Sequence, residues 1–105
     1  MSFDDPKYGR VYYSAIVYSD GSNGVNFTGK AVDNITTAVS HEWSEAVTDP
    51  DVNVGKLGWY DRNLGEVGDI PVTLADDVSD VIGKLGSFTV QKEWSNRLGR
   101  AVIRE

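Results

Sequence analysis

Apolar and polar positions fall in distinct blocks along this chain, and the blocks predict a mixed α+β fold. Residues 8–18, Tyr-Gly-Arg-Val-Tyr-Tyr-Ser-Ala-Ile-Val-Tyr, are dense in β-branched and aromatic side chains and predict a strand. Asp20-Gly21-Ser22-Asn23-Gly24 reads as a turn, with glycines for positive φ and Asp/Asn to bond the local backbone. Val25–Thr28 then predicts a short returning strand. The strongest helix signal runs from Asn34 to Thr48, with Asp33 as N-cap and Pro50 as the stop. At ~100° per residue, Ile35, Val39, Trp43, Ala46 and Val47 share one broad arc, expected to anchor the helix. His41 and Glu45 project from a different side, flanked by Thr37, Ala38 and Thr48, as a polar pair left free. Residues 49–72 form a long connection with few regular signals, and such connections in small domains are often functional. Leu74, Val78 and Val81/Ile82 at helical spacing predict a short helix over 74–84, Phe88–Trp94 a strand, and Ala101–Arg104 one more. The expected architecture is a single small domain over 1–105, an antiparallel sheet with the His41–Glu45 helix packed on one face.

Composition narrows the function. The chain has 105 residues, enough for one modest core. Ten Lys+Arg against sixteen Asp+Glu give a formal charge of −6, which argues against a nucleic-acid surface and suits cation binding. Cysteine is absent, so any metal must be held by histidine and carboxylates. No apolar run is long enough for a bilayer, so no membrane contact is expected. The N-terminus lacks the features of a signal peptide, so the expectation is either an intracellular, cytoplasmic chain, which the lack of cysteine favours, or a signal lying outside these residues.

The chemistry concentrates in Ser40-His41-Glu42-Trp43-Ser44-Glu45. Histidine and glutamate at i and i+4 stand one helical turn apart, within ~6 Å at Cβ, so both can reach one cation. Glu42 occupies the place of the general base in the His-Glu-x-x-His metalloprotease signature, with Glu45 where that signature has its second histidine. The bland reading of the same residues is a solvated helix face. The only histidine is committed here, so a Ser/His/Asp triad is excluded. Trp43, Trp59, Tyr60 and Trp94 read as core or site wall, and Tyr8, Tyr12, Tyr13 and Tyr18 as strand packing.

Ser40-His41-Glu42-Trp43-Ser44-Glu45-Ala46-Val47-Thr48-Asp49-Pro50, then Gly58-Trp59-Tyr60-Asp61, then Gly65-Glu66-Val67-Gly68-Asp69-Ile70, and later Phe88–Asn96, together resemble a zincin-like family of bacteria and fungi. Plant phosphate-induced (exordium-like) proteins are its distant relatives, and the resemblance spans roughly residues 10–103. Two departures stand out. The family's cysteine after Gly-Asp-Ile is Pro71 here, and its late cysteine is missing near Ala101-Val102. In secreted relatives the two look like a disulfide pair, and losing both together fits a reducing compartment. The chain also begins late against longer relatives, so substrate-binding walls are expected to be missing.

The resemblance implies that His41 and Glu45 are metal ligands and Glu42 the base that activates water. For the third ligand, Asp69 and Glu66 come first, because the glycines around them let that backbone come close. Asp49 and Asp51 stay open: Asp49 lies two turns from His41, and Asp51 follows it by ten residues, a spacing some zincins use. The implied function is a zinc-dependent hydrolase of the metallopeptidase type acting on a peptide or protein. The alternatives are a non-catalytic domain knitted together by zinc, calcium or another divalent cation, and a degenerate zincin that binds no metal.

Overall fold

A computed structural model describes the chain except for Gly21, Val25, Asp77, Lys84 and Glu105, and except for the side chains of Ser79, Asp80 and Ile82. Among the described residues, one long α-helix, one short α-helix, a 3₁₀ turn over Val52–Val54 and three two-stranded antiparallel sheets make a small α+β fold. Strands β1 (Ser2–Asp5) and β2 (Gly9–Tyr12) form the N-terminal hairpin. Helix α1 spans Ala31–Thr48 and α2 spans Asp69–Thr73. Strands β3 (Val78–Gly83) and β4 (Gly86–Gln91) make a second hairpin, and β5 (Glu93–Ser95) pairs with β6 (Arg100–Val102). None of these helices is long and apolar enough to cross a membrane.

Several local expectations change. Residues 8–18 hold a strand only to Tyr12, and Tyr8, Tyr12, Tyr13 and Tyr18 are exposed instead of packed. In the expected returning strand, Val25 lies outside the described residues and Asn26–Thr28 has no strand pairing. Gly21 of the expected turn also lies outside them, while Asp20 does bond the local backbone, accepting from Ser22 N at 2.8 Å. The expected helix over 74–84 is mostly strand β3, although Asp77 and Lys84 lie outside the described residues. Its backbone pairs back across Gly83 and Gly86, and Val81 lies opposite Phe88. The single strand expected over Phe88–Trp94 is broken at Lys92 into β4 and β5.

Helix α1 begins one turn earlier than its capping signal suggests, with Lys30 as N-cap. Asp33 is inside the first turn, where its charge suits the helix dipole. Its carbonyl accepts from the Thr37 hydroxyl four residues on, within the helix. Asn34 organises the incoming loop instead: Oδ1 accepts from Phe27 N and Thr28 N at 2.9 Å, and Nδ2 donates to Ser19 O.

The larger correction is which face of α1 is buried. Trp43 is 72% exposed and Val47 68%, with Val39 exposed beside them, so the apolar arc does not anchor the helix. Asn34 and Thr37 are fully buried, and the polar side faces β4. Thr36 Oγ1 donates to Thr89 O, and Gln91 N donates to Ser40 Oγ. Burying this side is tolerable because its hydroxyls are satisfied within the helix: Thr37, Ser44 and Thr48 each donate to the carbonyl four residues back. The apolar core is correspondingly thin. Val67, Ile70 and Ala101 are the buried hydrophobic residues among those described, with Pro71 packed beside them. The radius of gyration, 14.7 Å, exceeds the about 13 Å typical of a domain this long.

Candidate metal centre

The end of α1 is set by Asp49-Pro50. Asp49 N donates to Glu45 O at 2.7 Å, and the following proline forces the chain out of the helix. Asp49 is 2% exposed; its Oδ1 accepts from Gly58 N at 2.7 Å, and Trp59 N donates to Thr48 O. A Cβ on Gly58 would lie 2.3 Å from Thr48 O. The Thr-Asp-Pro and Gly-Trp segments are thus two halves of one clamp, which returns the chain toward the helix. From there Asp61 and Gly65 exchange backbone hydrogen bonds in a tight turn, and Glu66-Val67-Gly68 leads into α2.

This route carries Asp69 to His41. His41 Nε2 lies 3.1 Å from Glu45 Oε1 and 3.9 Å from Asp69 Oδ1. One ligand atom from each of the three falls within 4.8 Å of the others. Tetrahedral zinc with bonds of ~2.0–2.2 Å separates its ligand atoms by about 3.3–3.6 Å, and the two His41 distances lie either side of that spacing. The residues also orient one another. Asp69 Oδ2 accepts from Glu66 N at 3.0 Å, which turns Oδ1 toward the imidazole. Gln91, buried on β4, donates from Nε2 to Gly68 O at 2.5 Å, so its Oε1 is the atom left 3.1 Å from His41 Nδ1. Gln91 Oε1 thus accepts from Nδ1–H, and once the imidazolium gives up its other proton, the Nε2 lone pair faces the carboxylates, where a cation can take it.

The glycines are structural requirements of this site. A Cβ on Gly68 would meet His41 Nδ1 at 2.6 Å, and one on Gly65 would meet Asp69 Oδ2 at 2.2 Å. Gly65 also has φ +94, a conformation that favours glycine.

Charge is concentrated here without enough internal partners. Burial lowers the basicity of His41, but the hydrogen bond and charge of Glu45, the charge of Asp69 and the Gln91 bond together raise its pKa to about 9. Glu66 is pushed up to about 7 by burial and by the charges of Glu45, Asp49 and Asp69, against the pull of His41. Glu93, on β5, is also raised to about 7, chiefly by burial. Both oxygens of Glu93 and Asp49 Oδ2 are buried with no aligned hydrogen bond, and the buried Glu45 Oε1 has only its ion pair with His41 Nε2. Buried carboxylate oxygens in this state are costly unless a cation or proton reaches them.

No family profile, curated protein or solved structure matches this chain. The assignment of roles therefore rests on geometry.

Of the acids singled out in the sequence, Asp69 joins His41 and Glu45. Glu66 lies outside the trio, near enough to feel its charge. Asp49 acts as the loop clamp. Asp51 points elsewhere, pairing with Arg10 Nη2 at 3.1 Å. Glu42 is exposed on the rim of a cavity that Glu45 and Glu66 also line. Trp59 and Trp94 are half-buried, whereas Trp43 and Tyr60 are exposed.

Gln91 and Glu93 were not singled out by sequence. Gln91 meets α1 through its backbone, donating from N to Ser40 Oγ, and through its side chain, against His41. Replacing Gln91 with Leu frees the imidazole tautomer and leaves Gly68 O without its donor. It is expected to weaken zinc binding about 10–100-fold, measured by competition with a chromophoric chelator.

Proposed function

We propose that this chain is a zincin-like, zinc-dependent hydrolase of the peptidase type. The observation that carries the reading is the trio His41, Glu45 and Asp69, which offers three protein ligand atoms within 4.8 Å of one another and, among the described residues, no fourth. Three ligands leave a position for a reactant, whereas four close a structural site. Zinc, when bound, supplies Lewis-acid polarisation of the scissile carbonyl and of the attacking water. The residues of the chain do the rest. Glu42 takes the proton of the attacking water and returns it to the leaving amine. Asp69 and Glu45 balance the positive charge of the centre, and Gln91 holds the His41 ring in its productive tautomer.

The thin apolar core favours a second reading, a metal-stabilised binding domain without turnover. Glu42→Gln separates the two. For the hydrolase, the variant keeps about one zinc per chain and loses about 10²–10⁴-fold in cleavage of a fluorescent casein substrate. Equal turnover in variant and wild type removes Glu42 from the mechanism. Zinc bound by a wild type that cleaves nothing establishes the second reading.

A further inference from the structure

The outward apolar arc of α1 does not face open solvent along its whole length. It forms one wall of a cavity of about 460 Å³ whose opposite side is the N-terminal hairpin and the segment after it. Tyr12, Tyr13 and Ile16 line the hairpin side, and Val39, Trp43 and Ala46 line the helix side. The same cavity is bounded by Glu42, Glu45, Asp49 and Glu66, and among the described residues no lysine or arginine lines it. Its size lies within the range of small-ligand sites. The apolar wall and the candidate base therefore share one groove, and the groove continues to a ligand of the metal centre.

We infer that this groove binds an extended peptide, seating one large apolar side chain against Trp43 and Val39, with neutral or basic residues beside it. The inference rests on the hydrolase reading, because a peptide bond held there lies along the groove that reaches Glu42 and Glu45. Two features select the occupant. The apolar wall needs a ligand that buries hydrophobic surface, since clustered exposed apolar side chains mark binding sites. The acidic side repels a carboxylate and attracts a cation, so an acidic neighbour in the peptide is rejected. A second copy of the chain is a poor occupant. A two-fold contact would set the groove against itself and bring both sets of four carboxylates together.

The test uses the whole chain, stripped of metal and then reloaded with zinc, and measures peptide binding by calorimetry instead of turnover. The probes are acetylated, amidated tetrapeptides: Ala-Lys-Phe-Ala, Ala-Glu-Phe-Ala and Ala-Lys-Ala-Ala. The Lys-Phe peptide is expected to bind at least tenfold more tightly than either other peptide, with or without zinc. Trp43→Ala should cost at least tenfold for that peptide and leave zinc stoichiometry unchanged. Val39→Asp, on the same exposed wall, serves as the second variant and should act in the same direction. Equal affinity for the three peptides, or for wild type and both variants, overturns the groove assignment even if zinc binds. Self-association abolished by Trp43→Ala, with no peptide bound, overturns it in favour of a dimer face. Selective peptide binding by a protein that takes up no zinc upholds the groove and sinks the hydrolase reading alone.

Discussion

Zinc added to the metal-free protein at a hundredfold excess over its Kd is expected to raise the melting midpoint by on the order of 10–20 °C. The estimate combines about 2.7 kcal/mol of ligand-linked stabilisation with a shift of roughly 4–8 °C per kcal/mol in a chain this short. The physical reason lies in the balance of the fold. Few apolar side chains are buried, while carboxylate oxygens of Asp49 and Glu93 are buried without aligned hydrogen bonds and Glu45 leans on His41 alone. A cation compensates charge where the apolar core has little to add. Circular dichroism melts with zinc, with calcium and with neither would measure the effect, and His41→Ala should abolish the zinc response. A midpoint indifferent to both metals would leave the trio without a metal role.

The same experiment has a pH signature. His41 has its pKa raised from 6.5 to about 9, so the metal-free fold gains from the imidazolium. That contribution is fully present below the unfolded pKa of 6.5 and is lost as pH rises through about 9. Glu66 acts in the same sense: its carboxyl is raised from 4.5 to about 7, so the folded state favours its protonated form, and that preference is lost above about 7. Metal-free protein should therefore lose stability between pH 6 and pH 9.5. Zinc competes with the His41 proton, so its affinity should climb by up to about tenfold per pH unit over that window. The difference between the two melting curves then widens with pH; a constant difference would show that no proton is displaced.

Gly68→Ala is expected to lower zinc affinity by at least about 100-fold. Gly68 has φ −82 and ψ −29, ordinary helical backbone that alanine adopts readily. Without neighbours the substitution would stabilise, by about 0.4–1 kcal/mol, through the unfolded chain. Here the added methyl meets the His41 ring at 2.6 and 3.0 Å and Gln91 Nε2 at 3.1 Å. The ring cannot yield without leaving Glu45 and Asp69 or breaking its bond to Gln91. Overpacking of this kind costs about 1–3 kcal/mol, so the metal-free melting point should fall where backbone entropy alone would raise it. Chelator competition and thermal melts on the one variant check both effects. Zinc affinity equal to wild type would place the imidazole away from Gly68 and break the proposed centre.

The long helix, its stop at Pro50 and the pairing of His41 with Glu45 were legible in the sequence, because i,i+4 geometry and proline sterics act within a few residues. So was the turn chemistry of Asp20, and so was the clustering of glycines around Glu66 and Asp69. Tertiary contacts decided which of those acids reaches His41. The Asp49–Gly58 clamp and the turn at Asp61–Gly65 set the path of the chain, and that path delivers Asp69 while leaving Glu66 beside the site and Asp51 paired to Arg10. The buried face of α1 was also invisible in advance. Periodicity assigns an apolar arc to the core, but here hydroxyls satisfied by their own helix let the polar side pack on β4, and the arc was left for the groove. Gln91 shows the same limit most plainly. Nothing local separates it from any other polar strand residue, and only the meeting of β4, α1 and Gly68 makes it the residue that orients the histidine.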